Sequence, residues 1–373
     1  MADRDGTGEN AVVTGCVEQV RRTSAWRRVV LVAVFGYIAW RLMSLLPSES
    51  TTIGSAENSQ LAIDPDAPVK ANREFYAGMT MGCSVTITID THDPVKSKLA
   101  AREALLTLEA LDEMLSDWKP ASELSQWNES GALSAVVSEP FSAVLARALE
   151  VTRASDGRFD PTVMPCVALW RASRERKSLP NAADLAAARA HGGADALRVD
   201  GTTLLRTRSD IRIDFGGIGK GFAAIRALET LRANGFPRAV VAIAGDIAIG
   251  DAPRGEAGWK IDVATPNAPT PIIVAQCALS TSGDSEQWID IDGTRYAHII
   301  DPRTGLGATK LCQVSIIGPL DAAVDALATA CTLCDNDADI EKILANFPNY
   351  GALVVRNGQI TTLASWNTFA STK

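Results

Sequence analysis

The chain has only three histidines in 373 residues, His92, His191 and His298, and none stands in an HExxH arrangement. That excludes a histidine-rich zinc site, and any metal would sit on oxygen donors. Net positive charge is also lacking. The net charge is −8, and the main body has no Lys/Arg-rich stretch interleaved with aromatics, so nucleic acid is not an expected partner. The seven cysteines are an odd number spread thinly along the chain, which is no disulfide framework. Their one close pair, Cys331-Thr-Leu-Cys334, lies in an apolar helical run without a second CxxC, and both core packing and a redox role are open to it.

What is present changes abruptly along the chain. Residues 1–28 are polar and end in Arg21, Arg22, Arg27 and Arg28, as in a basic cytoplasmic tail. Residues 29–46 are apolar apart from Arg41 and Ser44. The whole stretch can cross a bilayer if Arg41 snorkels to the far interface, whereas the uninterrupted part up to Trp40 has the length of a signal-peptide core. Either way the body is exported. No convincing small-x-small cleavage site follows directly, so an uncleaved anchor is the expectation. A Ser/Thr/Pro/Asp-rich linker covers 47–72, and a folded domain covers 73–373.

Within that domain, alternation predicts strands at 85–89 and 259–263, and further short apolar-rich strands are expected at 239–243, 278–284 and 313–317. Hairpins are expected over 196–213, at 288–300 around Asp292-Gly293, and at 351–363. Helical spacing predicts helices over 94–117, 122–128, 141–154, 181–190, 222–234, 322–334 and 340–346. Paired strands alternating with helices indicate an α+β fold with antiparallel sheets, not a doubly wound parallel one.

Four stretches carry candidate chemistry. Ile211-Arg-Ile-Asp-Phe-Gly-Gly-Ile-Gly-Lys-Gly221 ends a strand-like run in an acid and then gives four glycines and a lysine. Glycines can adopt positive φ and leave N–H groups free for an anion, with Lys220 as a point charge, so the loop is either a phosphate cradle or only a tight turn. Gly221 stands where a nucleotide P-loop needs Ser or Thr, and the spacing does not fit GxGxxG. Asp325 and Thr329 are four apart on one helix face and can hold Mg²⁺ or simply face solvent. His298 lies among turn-formers, with Asp301 three residues on to orient it, and is either a general base or a hairpin histidine. Asp160, held extended before Pro161, can bind a ligand or only its own backbone.

Taken together and in order, these stretches resemble the ApbE-type flavin transferases, the FAD:protein FMN transferases of bacterial envelopes. The matching motifs are Met81-Gly-Cys, Leu115-Ser-Asp-Trp-Lys-Pro with Ser122-Glu-Leu-Ser, Phe159-Asp-Pro-Thr-Val, and Ile213 to Gly221. They continue with Thr281-Ser-Gly-Asp284, Tyr296-Ala-His-Ile-Ile-Asp-Pro-Arg-Thr-Gly305 and Asp325-Ala-Leu-Ala-Thr329. The resemblance implies a duplicated T-fold-like module that binds FAD as substrate. FMN would pass to a threonine or serine hydroxyl of a client protein, and AMP would leave. It implies FAD contacts from Met81, Trp118, Arg158, Phe159, Asp160, Asp214, Lys220 and Ile299. Mg²⁺ would be held by Gly217, Asp325 and Thr329, with His298 and Asp301 catalytic. It also implies a bacterial inner-membrane protein whose domain faces the periplasm. Metal-dependent FAD hydrolysis and non-catalytic FAD binding are the alternatives. The chain departs from the family pattern at Cys83, Gly217 and Ala244-Gly245-Asp246, and no lipobox cysteine follows the apolar run.

Overall fold

The computed structural model describes residues 72–283, 288–309 and 312–370. The expected tail, membrane segment and nearly all of the linker, together with Asp284 of one motif, lie outside them. Among the described residues no helix is long and apolar enough to cross a membrane.

The frame is one eight-stranded antiparallel sheet in which order in space equals order in the chain. Its strands are β1 (Arg73–Thr80), β2 (Cys83–Asp90), β3 (Ala239–Ile243), β4 (Asp246–Ile249), β5 (Cys277–Ser282), β6 (Cys312–Gly318), β7 (Gly351–Arg356) and β8 (Gln359–Ala364). Local chemistry explains the hairpins at its two edges. Met81-Gly82 and Asn357-Gly358 both take positive φ at both positions, the turn whose twist matches paired strands.

Helices fill the gaps between strands. Between β2 and β3 come α1 (Pro94–Leu115), α2 (Glu123–Ser130), α3 (Glu139–Ala154), α4 (Met164–Arg176), α5 (Ala182–Ala190) and α6 (Gly219–Ala233); between β6 and β7 come α7 (Ala323–Thr332) and α8 (Asp337–Leu344). The order strand pair, helices, strand pair thus occurs twice. Start signals are local: Asp93, Ser122, Ser138 and Asn181 each accept a backbone N–H from the first turn, at α1, α2, α3 and α5.

The central strands are buried on both faces, and period-2 alternation sorts their side chains. Val241, Ala248, Ala278, Ile316 and Val354 join the large core with Leu108 of α1, Leu228 of α6 and Leu327 of α7. Val240, Ile249, Leu279, Ile317 and Leu353 point the other way. There they meet Trp259, Val263, Ile272 and Val274 of a small hairpin, Trp259–Val263 with Thr270–Val274.

The structure differs from the sequence pattern in three places. α4 has no counterpart in the sequence reading. The second strand of the 288–300 hairpin pairs only as far as Ala297, so His298 and Ile299 form a bend before the short pair Ile300–Asp301 with Leu306–Gly307. The 196–213 hairpin ends at Arg206, and the run beyond it is held by side chains instead of a ladder.

Candidate active site

Asn128, at the end of α2, acts as a false strand for the run that enters the glycine loop. Its amide donates to the Ile213 carbonyl at 2.8 Å and accepts from the Ile213 N–H at 2.8 Å. The buried Arg206 lies over the Trp127 ring and donates to the carbonyls of Ile211, Ala132 and Trp127. Replacing Asn128 with leucine leaves both Ile213 backbone groups buried and unpaired, and should cost about 2–4 kcal/mol in urea unfolding. A loss below about 1 kcal/mol would show that water or a neighbour can replace the amide.

Past Ile213 the chain turns. Asp214 donates its N–H to Pro161 O at 2.7 Å, and its carboxylate accepts the Gly216 N–H at 2.7 Å. None of Gly216, Gly217, Gly219 and Gly221 takes the positive φ expected of them. Their bareness is required by crowding instead. A Cβ on Gly217 would lie 3.1 Å from the Phe159 ring and 3.2 Å from Thr329 Oγ1, and one on Gly221 would lie 2.7 Å from Asp325 Cβ. The glycines thus let the first turn of α6 rest directly on α7.

At that contact sit Lys220, Asp246 and Asp325. Lys220 Nζ is 2.7 Å from Asp246 Oδ2 and 3.8 Å from Asp325 Oδ2, and Asp325 Oδ2 also accepts the Gly221 N–H at 3.0 Å. Asp246 Oδ1 accepts from Ser280 Oγ at 2.6 Å, and Thr329 Oγ1 is 3.5 Å from Ser282 Oγ. Burial alone would lower the lysine, but Asp246 and Asp325 outweigh it and hold it well above its ordinary value. Burial pushes the Asp325 carboxyl up to about 7, and the neighbouring Asp246 adds to this while Lys220 and the Gly221 N–H oppose it. Two buried carboxylates share one ammonium, so the group is one positive charge short. Among the described residues no three His, Cys, Asp or Glu cluster as ligands. Two carboxylates with the hydroxyls of Thr329 and Ser282 instead form an oxygen donor set that fits a hard divalent cation.

Lys220, Asp246, Ser282, Asp325 and Thr329 line a cavity of about 620 Å³, the size of a cofactor pocket. Of the residues the sequence singled out, Trp118, Arg158, Phe159, Asp160, Asp214, Gly217, Lys220, His298, Ile299, Asp325 and Thr329 all face it. Asp160 Oδ1 accepts from the N–H and hydroxyl of Thr162, and burial pushes its carboxyl up. Trp118 is exposed, with its ring edge against Gly82. Met81 and Asp301 are not brought to the cavity. Met81 sits in the β1–β2 turn and packs against the large core. Both Asp301 oxygens accept from the Arg303 guanidinium, which also donates to Leu333 O at the end of α7. Asp301 therefore ties its loop to the helix that carries Asp325 and Thr329.

The sequence reading missed Asp246, Ser280, Asn128 and the wall formed by α4. Asp246 carried one signal, an acid directly after Ala244-Gly245, but it reads equally as turn chemistry. Cys331 and Cys334 are buried free thiols within the large core.

The ApbE family model matches residues 81–354, and the chain belongs to that family. An FAD:protein FMN transferase of Treponema pallidum is 30% identical over 307 residues, covering 76% of this chain and 84% of that protein. The solved flavin transferase ApbE of Vibrio cholerae, in a mutant form, matches with a TM-score of 0.72 at 26% identity, over 80% of this chain and 99% of that one. The ApbE protein of Thermotoga maritima matches with a TM-score of 0.72 at 26% identity, over 81% of this chain and all of that one.

Proposed function

We propose that this chain is an FAD:protein FMN transferase that moves the FMN part of FAD onto a serine or threonine hydroxyl of a client protein. The observation that carries this reading is the Lys220, Asp246 and Asp325 group, set where the first turn of α6 meets α7 and open to a cavity that also presents His298. The acceptor oxygen attacks the FMN-side phosphorus of FAD, the bond from that phosphorus to the oxygen of the AMP phosphate breaks, and AMP leaves with the electron pair. His298 takes the proton from the hydroxyl. Lys220 and the N–H groups at the start of α6 meet the diphosphate charge. Asp325, Thr329 and the backbone carbonyl of Gly217 would hold Mg²⁺, with Asp246 and Ser282 adjoining. The ion would supply Lewis-acid stabilisation of charge on the phosphate oxygens. Trp118, Phe159, Asp160 and Asp214 would contact FAD.

The same reading places the domain on the periplasmic face of a bacterial inner membrane, held by the apolar segment 29–46. It is tested by AMP release. With FAD and Mg²⁺ but no acceptor protein, release should be slow; acceptor should accelerate it in step with its own labelling. Equal release with and without acceptor would indicate FAD hydrolysis instead. FAD binding without any AMP release would leave only a binding protein.

The raised Asp325 carboxyl makes stability depend on pH. Between the ordinary carboxylate value and about 7, the folded chain keeps a proton that the unfolded chain has lost. Stability of the metal-free protein therefore falls as pH rises through that window. A bound cation removes this cost and competes with the proton. Thermal melts should show Mg²⁺ stabilising the protein more at about pH 8 than at about pH 5.5, with EDTA reversing the gain. Equal stabilisation at both pH values would place the ion away from Asp325.

A further inference from the structure

We propose that Arg174 recognises an acidic side chain of the client segment that brings its hydroxyl to the cavity. This rests on the transferase reading and adds a specificity-determining residue on the acceptor side.

One face of α4, together with the residue before it, runs along the cavity wall through Val163, Val167, Trp170, Arg171 and Arg174. Its early turns are apolar and its last turns are cationic. The other basic groups of the cavity are already answered. Lys220 faces Asp246 and Asp325, Arg171 pairs with Asp117 at 2.6 Å, and Arg158 reaches Asp339 at 3.6 Å and the Ser155 carbonyl. Arg174 lines the cavity half-buried, and among the described residues it has no hydrogen-bond or ion-pair partner. A guanidinium partly removed from water and left unpaired is costly, and its planar fork suits a carboxylate.

Its place decides which anion it meets. Trp170 packs on Tyr296 with ring centroids 5.4 Å apart and joins Tyr296 and Ile300 in one small core. Tyr296 and Ile300 flank His298 in sequence, and His298 and Ile300 line the cavity beside α4. Arg174 and His298 therefore stand on one wall, whereas Lys220 and Asp325 come from α6 and α7. The diphosphate charge is met on those helices, and a segment delivering its hydroxyl to His298 passes the α4 wall. The end of α4 is itself basic, with Arg171, Arg174, Arg176 and Lys177 against Glu175 in a chain of net charge −8. Such a rim favours an acidic segment and steers its approach.

The test uses the full chain with FAD, Mg²⁺ and a set of serine- or threonine-containing peptides. Each peptide carries a single aspartate, asparagine or lysine, moved in turn through the positions around the hydroxyl. Wild-type protein should prefer aspartate over asparagine at one position by about tenfold in kcat/KM, carried mainly by peptide KM. Arg174→Gln should reduce that ratio to about one, Arg174→Lys should keep part of it, and Arg174→Glu should turn the preference to lysine. Transfer by the wild type that is indifferent to peptide charge, or an aspartate preference intact in Arg174→Gln, would overturn the inference and leave the transferase reading standing. A rise in FAD KM with unchanged peptide KM would make Arg174 an FAD contact and overturn it likewise. Failure of the wild type to label any peptide or candidate client protein would overturn both.

Discussion

Asp325→Asn should lower metal-supported flavin transfer by at least about 100-fold while leaving a folded protein. The amide oxygen can still accept the Gly221 N–H that Asp325 Oδ2 accepts at 3.0 Å, so the contact between α6 and α7 survives. The negative charge is what disappears. In the metal-free protein that charge is a liability, because it is buried beside Asp246 with only Lys220 to offset both. The variant should therefore melt no lower than wild type near neutral pH, and its stability should lose the fall between acidic and neutral pH described above. Its melting temperature should also stop responding to Mg²⁺. Transfer within a few-fold of wild type would remove Asp325 from the metal set. A collapsed melting temperature at neutral pH would mean that the carboxylate stabilises the fold, contrary to its surroundings.

The second large effect is steric. In Gly221→Ala the new methyl would lie 2.7 Å from Asp325 Cβ, an atom that no rotamer can move away. Either α6 or α7 must shift, which should cost about 1–3 kcal/mol. Transfer should fall further than stability does, because the shift acts on Asp325 and Lys220 together. Gly219→Ala is the matched control for stability. Its methyl meets only Phe215 Cβ at an ordinary 3.7 Å, and alanine is the better helix former, so it should unfold no more easily than wild type. Equal stabilities for the two variants, measured by denaturant unfolding, would refute the crowding explanation for the glycine at position 221.

Much of this architecture was legible where the signal is local. Alternation in β2 and β6, apolar runs in β3 and β7, the cap at Ser122 and the Asp292-Gly293 turn all work within a few residues, and those elements lie close to their expected positions. α4 was invisible for a physical reason. It buries only Cys166, Trp170 and Ser173 and turns another face to the cavity, so no apolar stripe runs along it, and Val163 gives it no side-chain cap. β1 is an edge strand with Phe75 and Met79 exposed, which blurs its alternation.

In the site, residue types pointed to the right neighbourhood but not to the right relations. Asp325 and Thr329 share a face because they are four apart, which any helix would give. That Gly217 and Gly221 are bare because α7 presses on them depends on a contact distant in the chain, and positive φ was the wrong local explanation. Asp246 acquires meaning only once the sheet sets it between Ser280 and Lys220. Asp301 looked like an orienting group for His298 because it lies three residues away. The bend at His298 and Ile299 instead hands its carboxylate to Arg303.

The central claim is that this cavity transfers FMN from FAD to a protein hydroxyl. Its most direct test is the intact mass of a candidate client protein after incubation with this chain, FAD and Mg²⁺, followed by fragmentation to locate the change. The client should gain one FMN-sized adduct on a serine or threonine, with AMP formed in equal amount. An unmodified client together with AMP and free FMN, or an unmodified client and intact FAD, would contradict it.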